Sequence, residues 1–275
     1  MNSNVVEVTK EYYDSSDADN FYFHVWGGED IHIGLYASDS EPIADASVRT
    51  VATMAERLSH LPSGARVLDV GAGYGGAGRY LARKHGFHVT CLNLSLAQNE
   101  RNRQMNQEQN LADKVDVIDG DFENLPFEAD TFDAVWSQDA ILHSGNRKRV
   151  FEEIDRVLRS GGEIVLTDPM QKSGVDKEAL RPVLDRIHLE SMGSVADYKA
   201  FAADLGWSLR SVDLHNHQLV DHYSRVLAEL RRRENSLREH CSAEYMERMQ
   251  KGLAHWIEAG KQGRLEWGIL HFRKG

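Results

Sequence analysis

Apolar positions along the 275-residue chain change their spacing several times, and those changes lay out the expected elements. After an opening stretch crowded with aromatic residues, residues 47–60 place Val48, Val51, Met54, Ala55 and Leu58 at helical intervals. Short apolar runs of strand length then alternate with helical ones. Runs at 66–70, 88–93, 114–119, 131–137 and 162–168 read as strands, and 76–85, 95–110 and 146–159 as the helices between them. Alternation of this kind predicts an α/β fold with a doubly wound, mostly parallel sheet and right-handed crossovers. Beyond residue 170 the pattern shifts to helices at 176–192 and 195–205, a strand at 207–214, one long charged helix over 218–250 and a last strand at 264–273. The expectation is an aromatic-rich helical cover over 1–46 and a core over 47–170. Helices with one core strand and a lid follow over 171–263, and the final core strand is 264–275.

Composition narrows the class. Hydrophobic residues make up 41% and charged residues 27%, a balance that folds as an ordinary globular chain. The net charge of −11 repels phosphates, so neither nucleic acid nor an anionic membrane is an expected partner. The N-terminus lacks a basic start and an apolar core, and no apolar run approaches ~18 residues, so a cytoplasmic protein is expected. Two cysteines without a CxxC motif build neither a disulfide framework nor a metal site, and Cys91, in an apolar strand pattern, reads as a buried inert thiol.

The chemistry begins at residues 67–76, VLDVGAGYGG, where an apolar strand runs into a glycine turn and a helix follows. Glycines there let backbone N–H groups approach a ligand closely. The Gly71-x-Gly73-x-x-Gly76 spacing also fits a dinucleotide fingerprint. Asp69 separates the two readings, because its carboxylate repels a pyrophosphate and suits the cationic methionine end of S-adenosylmethionine. The second strand ends in Asn93, not the acid that a dinucleotide site wants, although Asn still hydrogen-bonds ribose hydroxyls. A turn cap without ligand contact is the plainer role for Asp69.

This DxGxG turn resembles the first motif of the class I S-adenosylmethionine-dependent methyltransferases. GDFENLPF (120–127), WSQDAILH (136–143) and RVLRSGGEIVLTD (156–168) resemble the later motifs in order. The resemblance implies the Rossmann-like fold of that superfamily, with S-adenosylhomocysteine as co-product. It assigns cofactor contacts to Asp69, Gly71, Ala72 and Gly73 in the first turn. Asn93, Leu94 and Gln98 follow the second strand, Asp121 and Phe122 meet the adenine, and Gln138 ends the fourth strand.

For the acceptor, strand ends offer Asp139, His143 and Asp168. Asp139 and His143 are spaced to share one face at a helix start, where His143 either takes an amine proton or is merely capped by neighbours. The N-terminal segment offers Tyr12, Tyr13, Tyr22, Trp26 and His32, either as plain packing or as a cation–π cage for a methylated ammonium. The stretches at 12–36, 91–95, 136–145 and 221–230 resemble the sarcosine/dimethylglycine N-methyltransferases of glycine betaine synthesis. Their glycine-methylating kin carry an arginine after the fifth strand to hold the substrate carboxylate. Here Thr167-Asp168-Pro169-Met170 stands instead, so Tyr223, Arg225 or Arg49 become candidates, with a solvated helix face as the plainer reading of Arg225. The implied partner is a small-molecule amine, with no metal. A sugar, sterol or tocopherol-type acceptor, an NAD-dependent oxidoreductase and a noncatalytic cofactor-binding module are the alternatives, and the oligomeric state stays open.

Overall fold

The computed structural model describes residues 16–275 apart from His188; Tyr12 and Tyr13 fall outside the described residues. Seven strands form one sheet: β1 (Arg66–Val70), β2 (His88–Asn93), β3 (Val115–Asp119), β4 (Phe132–Gln138), β5 (Leu158–Gln171), β6 (Ser208–Leu214) and β7 (Leu265–Arg273). Their order is β3-β2-β1-β4-β5-β7-β6, and β7 runs antiparallel to both of its neighbours. The sequence places β1 and β4 far apart, yet they pair side by side. The strand order reverses between them, which opens a crevice above their carboxyl ends.

Helices cover both faces because the strands alternate. Val67 and Val89 pack with α2 (Ile43–Ala55) and α3 (Gly76–His85), whereas Leu68 and Val70 point the other way, toward α5 (Arg147–Val157) and α7 (Val195–Asp204). Between these pairs, α4 (Leu96–Glu108) joins β2 to β3. Cys91 lies in this interior, fully buried, and burial drives its thiol pKa far up, as its strand position foretold. Helix α2 starts at Ile43, earlier than the apolar spacing indicated, directly after Pro42.

Two expected elements differ. Among the described residues of 176–192, the helical elements are only a 3₁₀ turn (Lys177–Leu180) and the short α6 (Arg181–Arg186). The stretch 218–250 is not one helix: α8 (Asn216–Leu237) stops, and α9 (Ala243–Lys261) begins after a break. Ser242 caps α9 by accepting from the Tyr245 N–H, and Asp17 of α1 (Ser16–Phe21) accepts from both the N–H and the hydroxyl of Ser242. A continuous helix would forfeit that cap. The α8–α9 pair lies between β6 and β7 in the chain and packs with Phe21, Tyr22, Val25 and Trp26 of the N-terminal segment in one apolar cluster.

Candidate active site

Beyond the carboxyl ends of β1 to β4 lies a cleft of about 1110 Å³, counted out to its open mouth. One half is built on the glycine turn. Gly71 has φ +78°, and a Cβ there would stand 2.3 Å from the Cβ of Ala140, so a side chain would both strain the backbone and close the cleft. The N–H groups of Gly71 and Ala72 donate to the Leu92 carbonyl, which fixes the turn on β2; Gly71 and Gly73 line the cleft, and Ala72 is buried beneath.

Asn93, Leu94 and Gln98 follow β2 onto the same wall. The Asn93 amide donates to Gln98 Oε1 at 3.0 Å, and Ser95 caps α4. Asp121 and Phe122, just past β3, line the wall as well; burial raises the Asp121 pKa even though the Glu123 N–H donates to it. Gln138, at the end of β4, accepts from Trp136 Nε1 at 3.0 Å, while its own amide nitrogen is buried with no protein partner.

Asp69 stands behind this half and does not touch the cleft surface. It is 2% exposed, and burial first, then the nearby Asp30, lifts its pKa to about 8. Asp30, which the sequence reading missed, has one carboxylate oxygen buried without a partner; burial and Glu29 raise it to about 7 against the pull of Arg79. Two desolvated acids beside a glycine turn form a site that a cation would complete. Asp30 carried no periodic signal, since it comes from the N-terminal segment that folds back over the sheet. That segment is pinned by the Arg79–Glu29 pair and by the Ile33 N–H donating to Asp139.

The other half of the cleft is aromatic. Tyr22 and Trp26, from a π-helical turn (Tyr22–Gly27), face Tyr223 of α8 and Trp256 of α9. Ring centroids run 5.1 Å from Tyr22 to Trp26, 5.8 Å to Tyr223 and 5.1 Å on to Trp256. Trp26 belongs both to the core and to the cleft wall. His32 and His143 complete this half. Burial lowers the His32 pKa to about 4; burial, with Arg147 and Arg186 nearby, does the same for His143, so both rings are neutral near pH 7.

His143 ends a 3₁₀ turn (Ile141–His143), not the start of an α-helix, so no helix face joins it to Asp139. Asp139, at φ +51°, lines the cleft but accepts from the Ile33 N–H and from Trp267 Nε1, each at 2.8 Å. Asp168 is fully buried below. It accepts from the Leu142 N–H at 3.1 Å and from the Tyr198 hydroxyl, and burial raises its pKa to about 8. Its contact with His143 thus passes through the backbone of the turn. Arg225 lies elsewhere: its guanidinium covers the Tyr36 ring and donates to the Ser38 and Glu41 carbonyls. Arg49 is likewise spent on Glu41 and the Leu35 carbonyl. Arg186 and Trp256 are on the cleft although the sequence reading did not select them.

Comparison with known proteins agrees with this architecture. The methyltransferase domain family matches residues 68–166. The sarcosine/dimethylglycine N-methyltransferase of Aphanothece halophytica is 58% identical over 98% of both chains. The enzyme of the same name from Halorhodospira halochloris is 54% identical, over 98% of this chain and 97% of its own. A crystal structure assigned as a sarcosine dimethylglycine methyltransferase from Galdieria sulphuraria superposes with a TM-score of 0.91 at 46% identity, covering 96% of this chain and 99% of that one. The chain belongs to the sarcosine/dimethylglycine N-methyltransferase family of S-adenosylmethionine-dependent methyltransferases.

Proposed function

We propose that the protein methylates the nitrogen of sarcosine and of dimethylglycine, toward glycine betaine, with S-adenosylmethionine as donor. One observation carries the reading: a single cleft joins a glycine turn backed by two buried acids to a box of four aromatic rings with a neutral imidazole at its edge. The names of the relatives agree with it.

The cleft fits the donor. Asp69 and Asp30 are placed to neutralise its ammonium, and the unpartnered amide nitrogen of Gln138 awaits an acceptor. Gly71, Ala72 and Gly73 admit its methionine portion, Asn93, Leu94 and Gln98 hold its ribose, and Asp121 and Phe122 its adenine. When bound, S-adenosylmethionine supplies a methyl group already activated on a sulfonium. The chain must then present an unprotonated nitrogen in line with it and keep water out.

Tyr22, Trp26 and Tyr223 surround a methylated amine with π faces that stabilise positive charge without offering a counter-ion to bond with. His32 lines the same space. His143, whose ring stays neutral near pH 7, accepts a hydrogen bond from the substrate's ammonium as it seats and orients the nitrogen, and the ammonium proton leaves to water before the methyl is transferred. Asp168 and Asp139 are positioning residues: Asp168 anchors the turn carrying His143, and Asp139 ties the cover to the sheet. The donor thus lies in the core of residues 47–170. The acceptor sits between the 1–46 cover and the 171–263 lid, with residues 264–275 closing the sheet. The two buried free cysteines fit a reducing cytoplasm; among the described residues no helix is long and apolar enough to cross a membrane.

The test is turnover. Purified protein with isotopically labelled donor should convert dimethylglycine to labelled betaine, read by mass spectrometry. No product from sarcosine or dimethylglycine, with turnover of a sterol or sugar, would overturn the assignment.

A further inference from the structure

An N-methylated glycine carries a carboxylate two bonds from its nitrogen, and the arginines that the sequence suggested for it are engaged away from the cleft. Arg147 also points elsewhere, donating to the backbone carbonyls of Leu142 and Ser191. Among the described residues that line the cleft, Arg186 is the one with a permanent positive charge. It ends α6, half-buried, beside the aromatic box: its guanidinium carbon is 5.9 Å from the ring centroids of both Tyr223 and Trp256. The stem has a made place. A Cβ on Gly252 of α9 would stand 2.3 Å from Arg186 Cδ, so glycine there leaves the room that the side chain occupies on its way to the cleft.

We infer that Arg186 grips the carboxylate of the acceptor while the rings of Tyr22, Trp26, Tyr223 and Trp256 hold its nitrogen. The inference rests on the acceptor assignment above. The geometry matches a compact zwitterion: a cation-stabilising π surface and a guanidinium stand side by side, so both ends of the molecule are met at once. A guanidinium offers a planar fork to a carboxylate, a geometry that lysine does not reproduce. Placed there, Arg186 selects glycine-derived amines over equally methylated amines that lack the acid.

The experiment compares inhibition by glycine betaine and by choline, which share a quaternary ammonium but not the carboxylate, in the wild type and in Arg186→Met and Arg186→Lys. Methionine keeps the apolar stem that fills the notch at Gly252. Because the readout is a difference between two ligands of the same folded protein, loss of some protein to misfolding does not imitate it. In Arg186→Met the inhibition constant of betaine should rise about 10- to 100-fold, the effect of removing one charge-assisted contact, and that of choline should change less than about threefold. Arg186→Lys should fall between. Equal inhibition of the wild type by both ligands overturns the inference, as does a variant that weakens both alike or neither. A wild type that methylates dimethylglycine with any of those results refutes Arg186 alone. A wild type inert toward sarcosine and dimethylglycine refutes the acceptor assignment and Arg186 together.

Discussion

The buried acid pair should make donor binding a proton-linked event, and Asp69→Asn isolates it. In the free protein Asp69 and Asp30 have pKa values raised to about 8 and about 7, mainly by burial. Near pH 7 the pair therefore keeps on the order of one proton more than ordinary carboxylates would. A bound ammonium favours the ionised pair, so binding expels that proton. The sign follows: the ligand prefers the deprotonated site, so affinity rises with pH from about 6 to 8, by up to tenfold per unit while one proton is released. Asparagine keeps the shape, removes the charge and removes the proton. Because Asp69 stands behind the cleft wall, its charge acts on the ammonium without direct contact, so the loss should not exceed the roughly 1.5–3 kcal/mol of a charge-assisted contact, a factor of at most about 10–150 in affinity. Ionising Asp69 one unit below its pKa costs about 1.4 kcal/mol of that. The gap between wild type and Asp69→Asn should thus be at most roughly 15-fold at pH 7 and widen above pH 8. Calorimetry with S-adenosylhomocysteine, which carries the same ammonium, in buffers of different ionisation enthalpy reads affinity and proton release together. Equal enthalpies in all buffers, or an Asp69→Asn affinity matching the wild type at pH 8, would refute the reasoning.

His143→Gln should lower turnover of dimethylglycine about 100-fold with cofactor affinity unchanged. Because the imidazole stays neutral down to about pH 4, the wild-type rate should climb through the neutral range with loss of the substrate's own proton and show no inflection near 6.5; stopped assays across pH 5.5–9 check both, and a variant with full turnover would make the ring structural. Trp26→Leu should reduce kcat/KM by about 0.5–2 kcal/mol of transition-state stabilisation, seen in acceptor kinetics. Since Trp26 is 5% exposed and packs on Phe21, Tyr22, His222 and Tyr223, its thermal stability should fall as well, by about 1–3 kcal/mol. Normal kinetics in the folded fraction would leave it a core residue only.

What could be read along the chain is what local chemistry dictates. The strands β1 to β7 announce themselves because a strand half-buried in a sheet must alternate or run apolar over a few residues, and the glycine turn after β1 because only glycine tolerates its backbone and its approach to Ala140. These short-range constraints sufficed for the fold class, while the donor and most of the cleft wall from Gly71 to His143 were legible through the motifs that resemble those of the class I methyltransferases. Long-range packing settled the rest. The break between α8 and α9 depends on Asp17, 225 positions from Ser242, and no helical periodicity encodes so distant a partner. Asp30 pairs with Asp69 only once the N-terminal segment crosses the sheet. Arg186 and Arg225 both sit on helices beyond β5 and look alike in sequence. One reaches the cleft past Gly252 and the other is held against Tyr36, because the way α6, α8 and α9 pack chooses which side chain faces the cleft.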